Sequence, residues 1–373
     1  MPRHWLSTFE SDLPRLCADL KDLVLLESPT ADAALVSRLG LWVHDRLRER
    51  GVPAELRHCP PAGDAVLASV AYRDGGTLLL GHLDTVWPAE TLAAMPWTLQ
   101  GERASGPGVF DMKGGIAVGM AVLTAMVRET DPSPVSLLLV PDEETGSTHS
   151  RELLVSVARR HRQVLVLEPS KGGAAKLERK GSGVFLVRFA GRAAHAGLEP
   201  GRGASALAEM ARFTLCLEGL ADSQKETTLT PSQARAGAAP NVVPESAELT
   251  IDARAWTREE AARVSAAVRA YHPTDPAVTV AVEGGFDRPP LERTPANDAL
   301  YRRARSAASD LGFELGSARV GGASDGNITS GEGIATLDGL GPTGGGANAR
   351  DEHVVVADLP RRAALLARLC SPE

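Results

Sequence analysis

Three short apolar runs, in GTLLLGHLDT (residues 76–85), VSLLLVPDEETGS (135–147) and QVLVLEPS (163–170), each stop at polar residues on their C-terminal side. Continuous apolar runs of this length, bounded by turn residues, read as buried strands rather than half-exposed ones. Between the first two, Gly114 to Arg128 reads as a helix. Strand and helix alternating in this way predict βαβ units of an α/β sheet, whose ligands gather beyond the C-terminal ends of the strands. His82, Glu143, Glu144 and Glu168 all fall there.

The pattern changes near Lys180. GVFLVRFAGRAAHAG (183–197) and AELTIDARAW (247–256) alternate apolar and polar positions, as half-buried antiparallel strands do, and GASALAEMARFTLCLEGL (203–220) between them reads as a helix. Residues 180–286 are therefore expected to form an inserted α+β domain. Residues 1–179 form the first part of an α/β domain. Residues 287–373, with a predicted helix over NDALYRRARSAASDLG, rejoin it.

At 373 residues with 43% apolar side chains, the chain can bury more than one core. Forty Lys and Arg against 47 Asp and Glu leave a net charge of −7, which provides no basic footprint for nucleic acid or an anionic membrane. The N-terminal residues show no signal-peptide pattern and no later run approaches the roughly 20 apolar residues of a membrane span, so a cytoplasmic location is expected. Cys17, Cys59, Cys216 and Cys370 are scattered singly, which suits reduced thiols. A metal would have to use histidine and carboxylates.

A lone histidine at a strand end is more often a satisfied polar residue than a ligand. In GHLDTV, however, Asp84 stands two residues beyond His82, where it can accept from the second imidazole nitrogen and so orient a metal-bound ring. Asp111 in GPGVFDMKGG sits where a glycine-rich loop meets a helix, a position that also suits a helix cap. In PDEETGS, the side chains of Glu143 and Glu144 are expected to diverge, one toward metal and one toward a water. Glu168, directly after VLVL, carries a charge that needs a partner. This oxygen and imidazole set suits two divalent ions such as zinc.

The order and wording of these motifs, from about Gly81 to Arg362, resemble the M20 family of metallopeptidases and its glutamate carboxypeptidase branch. The resemblance implies a zinc-peptidase-like catalytic domain with a mixed sheet flanked by helices, and an inserted ferredoxin-like domain that forms a homodimer. It implies that His82, Asp111, Glu144 and Glu168 bind metal, that Asp111 bridges, that Glu143 is the general base and that Asp84 supports His82. It further implies that His195, in GRAAHAG, reaches a partner subunit's site, and that Asn241 and Arg254 hold a substrate carboxylate. Lys176 and Arg288 fall where glutamate-releasing relatives carry basic residues, and Ser324 and Asp325, in GGASDGN, belong to a glycine-rich loop over the site. Relatives commonly place a metal-binding histidine four residues before the Glu of a DEY-like sequence. Counting back from Glu352 reaches Asn348, while His353 takes the tyrosine's place. Asn348 would be a weaker ligand for zinc than imidazole; alternatively, the glycines 344–346 let His353 reach the metal. The implied activity is zinc-dependent cleavage of an amide bond beside a free carboxylate, in a peptide or N-acyl amino acid, releasing a glutamate-like residue. The alternatives are an aminoacylase or dipeptidase, or a catalytically impaired binder.

Overall fold

The computed structural model describes residues 5–371. The chain divides into two compact units, one made of residues up to Leu177, Arg293–Arg319 and the chain from Ser324 onward, the other of Glu178–Glu292 with Val320–Ala323.

The first unit is built on a six-stranded mixed sheet in the order Ala54–Cys59, Gly63–Val70, Val135–Val140, Gly76–His82, His161–Val166, Ala335–Leu337. The last four run parallel, and the first two add an antiparallel edge. Gly76–His82 and Val135–Val140 are buried at every position, as strands covered on both faces must be. Helices Leu13–Leu25, Gly114–Met126 and Leu359–Cys370 contribute to the main core, with Leu20, Leu23, Ile116, Met120, Leu365 and Leu366 buried in it. The segment Val109–Met126 is long and apolar enough to cross a membrane by composition, but 94% of it is buried inside the fold. Asp111 and Met112 within it are not helical, so the helix proper is the 13-residue Gly114–Met126 at the heart of the core.

The second unit has the strand order Thr228–Ala236, Ser246–Ala255, Gly181–Ala190, Thr279–Arg288, all antiparallel, with helices Ala206–Leu220 and Arg258–Arg269. This is the ferredoxin-like βαββαβ arrangement. Strict alternation along Ser246–Ala255 turns Leu249, Ile251 and Ala253 into a core with Phe185, Phe189 and Phe213. The unit reaches beyond 180–286 because Thr279–Arg288 stays paired past Phe286, with Arg288 opposite Ser182.

Candidate metal centre

Three adjacent parallel strands bring the site together. Gly76–His82 lies between Val135–Val140 and His161–Val166, so His82, at its end, is flanked by the Glu143–Glu144 turn and by Glu168. Asp111 arrives from the loop that leads into Gly114–Met126. Glycine is needed there: a Cβ on Gly115 would lie 2.1 Å from the Leu167 carbonyl oxygen, so only glycine lets this helix approach the strand end that carries Glu168.

His82 is buried, and its Nε2 stands 3.4 Å from both Asp111 Oδ1 and Glu168 Oε1. Ligand atoms of His82, Asp111 and Glu144 lie within 4.8 Å of one another, as do those of His82, Glu143 and Glu168. His82 Nε2, Asp111 Oδ1 and Glu144 Oε1 are buried and make no hydrogen bond, a costly state for polar atoms unless something else satisfies them. Burial pushes the imidazole of His82 down, yet its contacts with Asp111, Asp84 and Glu168 hold its pKa well above the ordinary value. The Glu144 carboxyl is pushed up to about 8, first by burial and then by Asp111, Asp84 and Glu168 against the pull of His82. Four carboxylates packed around one imidazole are the donor set that oxygen- and nitrogen-seeking divalent cations satisfy.

Glu143 and Glu144 fall in different ligand groups, Glu144 with His82 and Asp111 and Glu143 with His82 and Glu168, so each lies within reach of His82. Asp84 does more than meet the second imidazole nitrogen. His82 Nδ1 bonds the backbone carbonyl of Asp84 at 2.9 Å and lies 3.2 Å from its carboxylate. That carboxylate also accepts from the backbone N–H groups of Glu143 and Glu144, at 3.1 Å each, and from the Thr30 hydroxyl at 2.8 Å. Asp84 therefore ties the turn that carries both glutamates to the histidine strand.

Lys176 is buried in the strand Ala175–Arg179 rather than on a loop, with its Nζ 3.9 Å from Glu168 Oε2. Ser324 does not present its hydroxyl to a site. It is fully buried, caps the helix Asp325–Gly331 by accepting from Gly326 N, and donates to Asp338. Asp325 accepts from the Ser147 hydroxyl. His195, Asn241, Arg254 and Arg288 belong to the second unit. There His195 is exposed, and its Nδ1 accepts from Gly197 N and Leu198 N at 3.1 Å, which puts the proton of the neutral ring on Nε2. Ala196 N donates to the carbonyl of Asn241 at 2.9 Å, joining the two loops. Arg254 pairs with Asp252, and Arg288 ends its strand, half-buried. Asn348 lies exposed in the turn between Gly344–Gly345 and His353–Val355, with φ of 61°. His353 bonds the Asp351 carbonyl through Nδ1 and joins neither ligand group among the described residues.

Glu352, in the sequence only a landmark for counting back to Asn348, has contacts of its own. It is fully buried and accepts from Trp87 Nε1 and from the N–H groups of Gly108, Phe110 and Asp111. Three of these four donors are backbone groups, whose presence no residue type announces, so no sequence pattern could have revealed the contact. Lys113, also buried, donates to the Leu26 carbonyl; burial lowers it to about 7 against the attraction of Glu352 and Glu27. Beside Glu144 lies a cavity of about 660 Å³ bounded by Thr30, Pro61, Thr85, Val86 and His149, with no Lys or Arg in its wall among the described residues.

The sequence model of peptidase family M20/M25/M40 matches residues 78–371. Carboxypeptidase G2 from Pseudomonas sp. (strain RS-16) is 31% identical over 367 residues, covering 95% of this chain and 88% of the relative. An acetylornithine deacetylase from Myxococcus xanthus is 28% identical over 274 residues, covering 68% and 70%. Among solved structures, aminopeptidase PepT from Bacillus cereus superposes with a TM-score of 0.78 at 20% identity, covering 96% of this chain and 97% of that one. A Bacillus subtilis protein described as a dinuclear metal-binding peptidase of the M20 family superposes at 0.68 with 14% identity, covering 97% and 98%.

Proposed function

The chain belongs to peptidase family M20/M25/M40, and from that premise we propose that it is a zinc-dependent hydrolase that cleaves an amide bond beside a free carboxylate, releasing a glutamate-like residue from a peptide or N-acyl amino acid. The observation that carries this reading is the convergence of His82, Asp111, Glu143, Glu144 and Glu168 around three neighbouring strand ends, with His82 Nε2, Asp111 Oδ1 and Glu144 Oε1 buried and without a hydrogen bond. His82, Asp111, Glu144 and Glu168 hold the metal. When bound, divalent cations supply Lewis-acid polarisation of the scissile carbonyl and make a water acidic enough to deprotonate near neutral pH.

Glu143 takes the proton from the attacking water and delivers it to the leaving nitrogen as the tetrahedral centre collapses. Its backbone is pinned to Asp84, so its carboxylate keeps a fixed bearing on the cluster. His195 carries its proton on Nε2, the form able to donate to a developing oxyanion, and this supports the homodimer reading in which it serves a partner's site. Lys176, in the same compact unit as the cluster, supplies a cation for the substrate carboxylate. The uncharged acyl portion lies in the cavity beside Glu144, whose wall offers prolines and Val86 and no cation.

The test is a panel of N-acetyl-, N-benzoyl- and N-succinyl-glutamate with the zinc-loaded protein and with Glu143→Gln. We expect turnover by the wild type, weakest for the succinyl compound, whose acyl portion adds a third carboxylate. Glu143→Gln should retain zinc and lose at least about 100-fold in kcat, the lower end of what a positioned base contributes. Zinc loss in that variant would exchange the roles of Glu143 and Glu144. Binding without turnover across the panel would favour a non-catalytic binder.

A further inference from the structure

Asp111 Oδ1 stands 3.4 Å from His82 Nε2, is buried and makes no hydrogen bond. Its backbone is held by bonds of its own. Glu352 Oε1 accepts from Phe110 N at 2.9 Å and Asp111 N at 3.0 Å, while Oε2 accepts from Gly108 N at 3.0 Å and Trp87 Nε1 at 2.7 Å. Four donors on one fully buried carboxylate bind a loop whose conformation departs from the helix that follows, with Asp111 at φ −112° and ψ 95°. Glu352 is itself anchored. The next residue begins the strand His353–Val355, which pairs with Arg103–Ser105, and Glu352 N donates to the Ala349 carbonyl.

We propose that Glu352 is the positioning residue for Asp111, a carboxylate outside the ligand set that holds the Asp111 backbone so that its side chain meets a metal without first having to be ordered. The proposal rests on the metal reading above. Its physical basis is that an ionised carboxylate bonds backbone N–H groups about twice as strongly as a neutral acceptor. An amide in its place keeps one acceptor oxygen and turns an NH2 group toward two of the four donors. Residues that hold a metal ligand in place commonly change metal affinity by about 10–100-fold, and Glu352 does so through the ligand's backbone. A residue that served only the fold would lower the stability of the metal-free protein and leave the affinity of the folded fraction unchanged.

The experiment is zinc competition against a chromophoric chelator, with urea unfolding of the metal-free protein in parallel, for the full chain and for Glu352→Gln, Glu352→Asp and Trp87→Phe. We expect Glu352→Gln to weaken zinc by roughly 10–100-fold. Trp87→Phe, which removes one donor of four, should weaken it less and in the same direction, with the urea midpoint little changed. Glu352→Asp, which keeps the charge on a shorter arm, should recover part of the loss. If Glu352→Gln does not fold, the other two variants decide, and wild-type affinity in both would overturn the proposal. Lower urea midpoints with unchanged zinc affinity across the set would also overturn it. A wild type that binds no zinc would remove the metal reading and this role together, whereas a zinc-binding wild type matched by all three variants would remove the role alone.

Discussion

Asn348 shows how a single residue can answer two demands. By resemblance it stands where a metal-binding histidine belongs, but the structure gives it a local reason to be asparagine. At φ 61° it occupies the left-handed region, which asparagine tolerates better than most residues with a Cβ. If the turn alone explains it, Asn348→Gly should keep zinc affinity at the wild-type value, because glycine suits that conformation at least as well. Asn348→Ala should cost about 1 kcal/mol of stability from the left-handed backbone, again without loss of zinc. Chelator competition and thermal unfolding of the two variants check this. Loss of zinc in Asn348→Gly would instead make the amide oxygen a ligand.

At the scale of elements, what the sequence made legible was whatever depends on side-chain pattern. The runs ending at His82, Val140 and Val166 are uninterrupted because their strands are covered on both faces, and their polar stops mark the cluster because parallel strands all end on one edge. The alternation of Ser246–Ala255 showed a sheet with one solvent face for the same reason. Contacts made by backbone groups were not legible. The grip of Asp84 on Glu143 N and Glu144 N, and of Glu352 on the Asp111 loop, are of that kind. The burial of Lys176 and the capping role of Ser324 depend on distant partners, Glu168 and Asp338 respectively. In the helix Arg258–Arg269, Thr257 caps Glu260 N, and the Glu260 carboxylate binds Arg263, Lys225 and Thr227, the last two more than thirty residues away along the chain. Arg263 foremost, then Lys225 and Thr227, draw its pKa down from 4.5 to about 2 against the effect of burial. A depressed carboxylate stabilises the fold fully above its unfolded value and loses that contribution as pH falls through its folded one. Between about pH 4.5 and 2, wild-type thermal stability should therefore fall more steeply than that of Glu260→Gln. Parallel slopes in melts across that range would show that the ion pairs contribute nothing to stability.

At the scale of the whole molecule, the second unit presents a surface suited to a second copy of itself. Thr228–Ala236 is an outer strand of nine residues exposed at all but one position, with one sheet neighbour, Ser246–Ala255. The helix Ala206–Leu220, on the same sheet, leaves Leu207 and Leu215 exposed, Leu215 at 69%. An unpaired edge beside exposed leucines is the surface that a two-fold symmetric strand pairing would cover. Pro231 and the register shift after it work in the other direction, because prolines and bulges are devices that blunt an edge. They interrupt the strand at one point and leave Gln233–Ala236 in regular register, so pairing would centre on that C-terminal half. We predict a homodimer at micromolar concentration by light scattering. Ala234→Pro, which inserts a second break in the regular half, and Leu215→Glu, which places a charge on the adjoining apolar helix face, should each shift the protein toward monomer, and the double variant should do so further. If the wild type is monomeric at those concentrations and hydrolyses its substrate fully, neither the edge nor His195 serves a partner. If it is a dimer that both variants leave intact, the copies meet on another surface and His195 must be reassigned.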